Sequence, residues 1–227
     1  LIYLVTEFQN PKGTSIARDR RAAIVKLAQQ YEVPVLEDDP YGELRFRGEM
    51  PPPLAALDDC DNVIYLGTFS KTLAPGMRIG WMAGPRDVIR TATIAKQAAD
   101  LHTGTLVQRA AAALLETFDY DAHLNRLRRA YGERRDAMVR GLEQHMPKGT
   151  RWTDPEGGLF LWMTLPEGLT DDALFRRAVE LKVAVVPGSS FFIGHGERRF
   201  VRLNFSNQTV ARIEEGVARL GHALRSL

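Results

Sequence analysis

The first part of the chain alternates short apolar runs with amphipathic stretches. Residues 2–8 are apolar, β-branched and aromatic, and they stop at Gln9-Asn10-Pro11-Lys12-Gly13, the pattern of a strand that ends in a turn. Residues 15–31 read as a helix with Ile16, Ile24, Leu27 and Tyr31 on one stripe, at spacings near the helical period. Val33, Val35 and Leu36 predict a second strand, closed by the acidic turn Glu37-Asp38-Asp39-Pro40, and Pro51-Pro52-Pro53 marks a loop. Residues 63–69 and 78–83 predict a third and a fourth strand. Strands separated by helical stretches predict an α/β layer with a mostly parallel sheet and right-handed crossovers.

Beyond residue 86 the pattern changes to long helices. Residues 105–118 are rich in Ala and Leu with few charges, which predicts a buried helix. Residues 121–146 carry Leu124, Leu127, Tyr131, Met138 and Leu142 on one side. The run of arginines from Arg126 to Arg140 reads as the solvated face of this helix, which would bridge two lobes. Short β runs follow at 159–165, 183–187 and 200–205, mixed with two helices. Thr170 is the expected N-cap of the first, with Asp171 and Asp172 favourable at its dipole. The second presents Ile213, Val217, Leu220 and Leu224 on one face. Gly188 with Ser189-Ser190 predicts a turn after Pro187, and Trp81 and Trp162 read as core or cleft-wall residues. The organisation predicted is a larger α/β lobe over 1–118, then a bridging helix and a small α+β lobe over 119–227.

Composition narrows the class. The 227 residues are 44% hydrophobic and 26% charged, ordinary for a globular chain of one large or two small domains. Thirty Lys and Arg against 28 Asp and Glu leave a net charge of +2, which argues against a dedicated nucleic-acid binder. Cys60 is the single cysteine, so neither an internal disulfide nor a thiolate zinc site is expected, and a reducing, cytoplasmic setting fits. His102, His123, His145, His195 and His222 stand at no metal-ligand spacing, so no metal is expected. No Gly-x-Gly-x-x-Gly motif is present, and no apolar run reaches the roughly 18 residues of a membrane span. The opening LIYLVTEF has neither an initiator Met nor signal-peptide flanks. It reads as the middle of a buried strand, and the chain as a fragment lacking an N-terminal portion.

In an open parallel sheet, ligands bind beyond the carboxyl ends of the strands. Three polar clusters fall there: Asn10, Asp38 to Tyr41, and Ser70-Lys71. A lysine held in such a place among other cations is a nucleophilic amine able to form a Schiff base. The hydroxyls of Thr68 and Ser70, with the guanidinium of Arg78, suit a phosphate. From spacing alone, an ordinary surface Ser-Lys turn, a solvated acidic turn at Asp38-Asp39 and a plain turn-forming Asn10 are also open.

Taken in order, Asn10-Pro11-x-Gly13, Asp38-x-x-Tyr41, Ser70-Lys71-Thr72, Arg78-x-Gly80 and Arg202 resemble the fold-type I pyridoxal-phosphate aminotransferases of class I/II. The resemblance spans essentially the whole chain and is nearest to the 2-aminoadipate and kynurenine aminotransferase-like group. It implies an aspartate aminotransferase-like fold, with residues 1–118 as the C-terminal half of the large cofactor domain. Lys71 would form the internal aldimine with pyridoxal 5'-phosphate and shuttle the substrate proton. Asp38, rather than Asp39, has the family's spacing to Tyr41 and would face the pyridine nitrogen. Tyr41 and Asn10 would hydrogen-bond the phenolic oxygen, and Thr68, Ser70 and Arg78 would anchor the phosphate. Arg78 follows Lys71 by seven residues, the shorter of the family's two spacings and the one found in the aminoadipate-like group. Arg202, in an alternating run with Arg198 and Arg199 nearby, would clamp the substrate carboxylate beside Asn10, in a cleft between the lobes.

The resemblance implies transamination between an L-amino acid (2-aminoadipate-like, aromatic or other) and a 2-oxo acid such as 2-oxoglutarate. It also implies a homodimer for the full-length protein, without a nucleic-acid or membrane partner. Two alternatives share these residues: a lyase on the same scaffold, and the ligand-sensing domain of a winged-helix transcriptional regulator.

Overall fold

The computed structural model describes residues 1–57, 61–194 and 196–227. Cys60 and His195, singled out above, lie outside the described residues. The chain divides into two compact units: residues 1–7 with 15–127, and residues 8–14 with 128–227.

The first unit is built on a four-stranded sheet of β1 (Ile2–Val5), β2 (Val35–Asp38), β3 (Val63–Thr68) and β4 (Gly80–Ala83), in that order. β1, β2 and β3 are parallel, as the sequence pattern predicts. β4 runs antiparallel to β3, because the link 69–79 is too short for a crossover back to the starting end. Val5 is aligned with Asp38 and Asp38 with Leu66, so the three carboxyl ends finish at one level.

Helix α1 (Arg18–Gln30) covers one face of this sheet. Val25 and Ala28 pack with Val35, Leu54, Ala55 and Val63, and Leu4, Ile24 and Tyr65 lie against them. The fully buried stripe is therefore Arg21, Val25 and Ala28, while of the expected stripe Ile24 lies against the core. Leu27 is 53% and Tyr31 66% exposed, and Ile16 precedes the helix. An arginine occupies a core seat that an apolar count assigns elsewhere, because it meets the buried Glu7.

A further expectation fails in this unit. Helix α3 (Thr105–Thr117) buries only Ala111, with Leu106 and Leu115 exposed, and α2 (Arg86–Asp100) buries none of its residues. Composition records that a face favours burial, not that its cover lies in the same stretch of chain. Trp81 on β4, 42% exposed and tilted against Phe69 with ring centroids 4.8 Å apart, lines a cavity together with Tyr65 and Thr68 and is thus a wall residue, one of the two places expected for it.

Helix α4 (Tyr120–His145) begins in the first unit and continues in the second. Leu124, Met138 and Leu142 are buried as its pattern predicts. Its arginine face is not wholly solvated: Arg135 is buried, with Nη1 2.7 Å from Asp154 and Nε 3.1 Å from Asp136.

The second unit holds an antiparallel sheet of order β5 (Arg151–Trp152), β6 (Phe160–Thr164), β8 (Phe200–Asn204) and β7 (Val186–Pro187). Helix α5 (Asp171–Glu180) is capped by Thr170, whose hydroxyl accepts from the Ala173 N–H. Asp171 is fully buried and accepts from Ser189 N–H at 2.7 Å, which pins the predicted turn at 188–191. Helix α6 (Val210–Arg225) buries Ile213, Val217, Leu220 and Leu224 as expected. Trp162 is buried, stacked on Phe200. No helix among the described residues is long and apolar enough to cross a membrane.

Candidate active site

Two groups of candidate residues emerge, one in each unit. In the first unit they gather at the carboxyl ends of the parallel strands. Asp38 closes β2, and its Oδ2 accepts a short hydrogen bond from the phenol of Tyr3 on β1. Burial, followed by the carboxylate of Asp38, pushes the Tyr3 hydroxyl up to about 12, so it stays a donor. Asp39, the competing acid, is committed elsewhere. Its Oδ1 accepts from Gly42 N–H at 2.8 Å and its Oδ2 from the Tyr65 hydroxyl at 3.2 Å. A Cβ on Gly42 would lie 2.5 Å from that carboxylate, so glycine lets the turn close over it. Burial raises the Asp39 carboxyl above the ordinary range and also raises Tyr65. Tyr41 is buried, and its carbonyl accepts from Leu44 N–H.

At the end of β3, Thr68 and Ser70 place their hydroxyl oxygens 2.9 Å apart, and Thr68 Oγ1 also accepts from Ser70 N–H. Lys71 follows, half-buried. The segment is held from behind: Leu73 N–H bonds Phe69 carbonyl, and His123 Nε2 sits 2.8 Å from the Thr72 carbonyl. Arg78 is left-handed at φ 52° and exposed, with Nη1 donating to its own turn at Pro75. A cavity of about 220 Å³ borders Asp39, Tyr65, Thr68 and Thr72. A larger one of about 340 Å³ beside α6 touches none of the candidate residues.

Beneath these strand ends lies a charge network that the sequence reading missed. Glu7 is buried between Arg21, Arg45 and the hydroxyl of Ser15. Glu37, fully buried, accepts from Thr6, Leu54 N–H and Ala55 N–H. Arg21 also donates to the carbonyls of Ile16, Pro52 and Thr6. These bonds fix the end of β1 against β2, α1 and the proline-rich loop, satisfying each buried charge. The available signal was an acid closing an apolar run; its arginine partner gave none.

In the second unit, residues 8–14 form a tight loop that presents Asn10. Gly13 has φ +67°, and a Cβ there would lie 2.3 Å from the Phe160 carbonyl oxygen. Thr153 adds a 2.9 Å hydrogen bond to the Lys12 carbonyl. Arg202, central on β8 between Trp162 of β6 and Val186 of β7, donates from Nη1 to Asn10 Oδ1 at 2.7 Å. Its guanidinium lies 4.3 Å from the ring centre of Phe160 and 5.2 Å from that of Phe191. Arg202 therefore has a fixed plane, unlike Arg198 and Arg199 outside the strand. The two aromatic walls were not foreseen.

Residues 2–220 match the family described as aminotransferase class I and II. The chain belongs to that family. It is 44% identical over 225 residues to aromatic-amino-acid aminotransferase 1 of Thermococcus litoralis, covering 99% of this chain and 54% of that protein. The crystal structure of α-aminoadipate aminotransferase from Thermus thermophilus, complexed with N-(5'-phosphopyridoxyl)-L-leucine, superimposes with a TM-score of 0.93 at 40% identity, over 99% of this chain and 58% of that one. An uncharacterised HTH-type transcriptional regulator of Bacillus subtilis is 38% identical over 228 residues, 100% of this chain and 46% of that protein. The chain thus spans about half the length of the curated relatives it matches. The fold is that of the aspartate aminotransferase-like transferases, in agreement with the resemblance read from the motifs.

Proposed function

We propose that the full-length protein is a pyridoxal-phosphate-dependent aminotransferase exchanging an amino group between an L-amino acid, of 2-aminoadipate-like or aromatic type, and a 2-oxo acid such as 2-oxoglutarate. The observation that carries this reading is the grouping of Lys71 with the paired Thr68 and Ser70 hydroxyls at the end of β3, beside Asp38 at the end of β2, in a chain of this family. The donor set fits the cofactor: hydroxyls and a guanidinium for a phosphate, a carboxylate for a pyridinium, an amine for an aldehyde.

When bound, pyridoxal phosphate supplies the electron sink that makes the substrate Cα–H acidic. Lys71 Nζ would hold the cofactor's aldehyde carbon and would move the proton at the substrate Cα. Asp38 would keep a proton on the ring nitrogen. Tyr41 and Asn10 would donate to the phenolic oxygen, and Thr68, Ser70 and Arg78 would hold the phosphate. Arg202 holds the substrate α-carboxylate, its plane set by Phe160, Phe191 and Asn10. In this reading residues 1–118 are the C-terminal half of the cofactor domain and 119–227 the bridging helix and small domain. The protein acts in the cytoplasm as a homodimer.

The test is a visible absorption spectrum of the full-length polypeptide with pyridoxal phosphate, before and after 2-aminoadipate, with Lys71→Ala as control. A Lys71-dependent band that the amino acid discharges, with release of 2-oxoadipate, is expected. A band without 2-oxo acid overturns transamination in favour of ligand sensing or lyase chemistry. No band in the wild type overturns the cofactor assignment.

A further inference from the structure

We propose that Tyr3 is a positioning residue for Asp38: its phenol, donated to Oδ2, holds the carboxylate in one orientation and leaves Oδ1 to face the ring nitrogen of the cofactor. This rests on the role given to Asp38 above.

The strand register makes the contact. Tyr3 is aligned with Leu36 and Val5 with Asp38 across the parallel β1–β2 pair, so Tyr3 lies two residues back from Asp38 on the neighbouring strand. Alternation puts Tyr3, Leu36 and Asp38 on the sheet face opposite the buried Val35 and Glu37. A diagonal cross-strand neighbour on one face is within reach of a long aromatic side chain, and the phenol meets Oδ2. Tyr3 is otherwise 56% exposed, so its ring contributes little to the core, and its specific side-chain contact is the hydroxyl's bond to Asp38.

A carboxylate at a strand end turns readily about its last torsion, whose energy wells are broad and two-fold. A single donor on one oxygen removes that freedom and leaves the lone pairs of the other available. The same device recurs one residue on, where the Tyr65 hydroxyl bonds Oδ2 of Asp39. There Gly42 N–H takes the second oxygen, so that carboxylate is closed. At Asp38, among the described residues, the orienting half alone of the arrangement is built. Because the Tyr3 hydroxyl is pushed up to about 12 by burial and by Asp38, it remains a donor at any ordinary working pH.

The experiment is Tyr3→Phe in the full-length polypeptide loaded with ¹⁵N-labelled pyridoxal phosphate, with Asp38→Asn and the double variant alongside. We expect kcat to fall about tenfold with KM for the amino acid little changed, as for loss of one hydrogen bond to a charged group felt in the transition state. The ring-nitrogen resonance should move toward the neutral pyridine, the melting temperature should stay near that of the wild type, and Tyr3→Phe should cost nothing further in the Asp38→Asn background. Unchanged nitrogen resonance and kcat in Tyr3→Phe overturn the proposal, as does an equal loss with and without Asp38. A wild type that takes up no cofactor overturns the role of Asp38 itself, which separates that failure from failure of the Tyr3 assignment.

Discussion

Arg202 and Asn10 stand 192 residues apart in the sequence and are joined by a 2.7 Å hydrogen bond from Nη1 to Oδ1. The bond ties the central strand of the small sheet to the loop 8–14, and the rings of Phe160 and Phe191 fix the plane of the guanidinium. Lysine in its place would keep the charge but lose the fork and the stacking. Arg202→Lys should therefore raise KM for the amino acid by about tenfold or more, with a smaller change in kcat. Steady-state kinetics on the full-length polypeptide measures this, and an unchanged KM would remove Arg202 from substrate binding.

Glu7 and Arg21 are both almost fully buried and paired with each other. Removing Arg21 takes one of the two arginines from Glu7 and the donor from the carbonyls of Ile16, Pro52 and Thr6, so Arg21→Met should lower the unfolding free energy by about 3–5 kcal/mol. Glu7→Gln should cost less in that variant than in the wild type, since the pairing with Arg21 is already lost and the pairing with Arg45 alone remains to be broken. Urea denaturation of the single and double variants decides it. A double variant that loses the full sum of two large single effects would mean that the two charges are not coupled.

Much of this architecture was legible in the sequence, and the failures have definite causes. The parallel strands, the Thr170 cap and the α6 stripe follow from local rules: periodicity, a hydroxyl before a helix, and an apolar face every third or fourth residue. The family motifs carried Lys71, Asp38 and Arg202 because each stands at a strand end or within a strand whose spacing is set by the sheet. The partners of Asp38 and Arg202, and the buried charge pair beneath the strand ends, were not legible. Tyr3, Glu7, Arg21 and Phe191 act through contacts across strands or across long stretches of chain, and nothing local distinguishes them from an ordinary strand tyrosine, a surface ion or a loop aromatic. Arg21 also misled the helix reading, since a paired arginine fills a core position that hydrophobicity alone leaves blank. The burial expected of α3 failed for the converse reason: its apolar face is real, but only Ala111 is covered.

Gly13 is held at φ +67° with the Phe160 carbonyl oxygen 2.3 Å from where a Cβ would stand. Gly13→Ala thus meets both a left-handed backbone penalty of about 1–2 kcal/mol and a clash with backbone that cannot swing away. It should destabilise the protein and, by displacing the loop that carries Asn10, weaken substrate binding as Arg202→Lys does. Thermal denaturation and KM are the two readouts. A variant with wild-type values in both would show that the loop accepts a side chain without moving Asn10.

Asp39 gives a pH signature of its own. Burial, opposed by the hydrogen bonds from Gly42 and Tyr65 and assisted by the negative Glu7 and Glu37, raises its carboxyl above the ordinary value. A carboxyl whose pKa is higher folded than unfolded binds its proton more tightly in the folded state. Its contribution therefore favours folding below the ordinary aspartate pKa and is lost as the pH rises through the raised one. Asparagine can still accept from Gly42 N–H but does not titrate. The stability of the wild type relative to Asp39→Asn should accordingly be flat near neutral pH, above the raised pKa, and improve as the pH falls toward the ordinary aspartate range. Melting temperatures of both proteins from about pH 8 to about pH 4 test the sign. A difference that stays constant, or turns against the wild type on acidification, would mean that the hydrogen bonds from Gly42 and Tyr65 outweigh the desolvation.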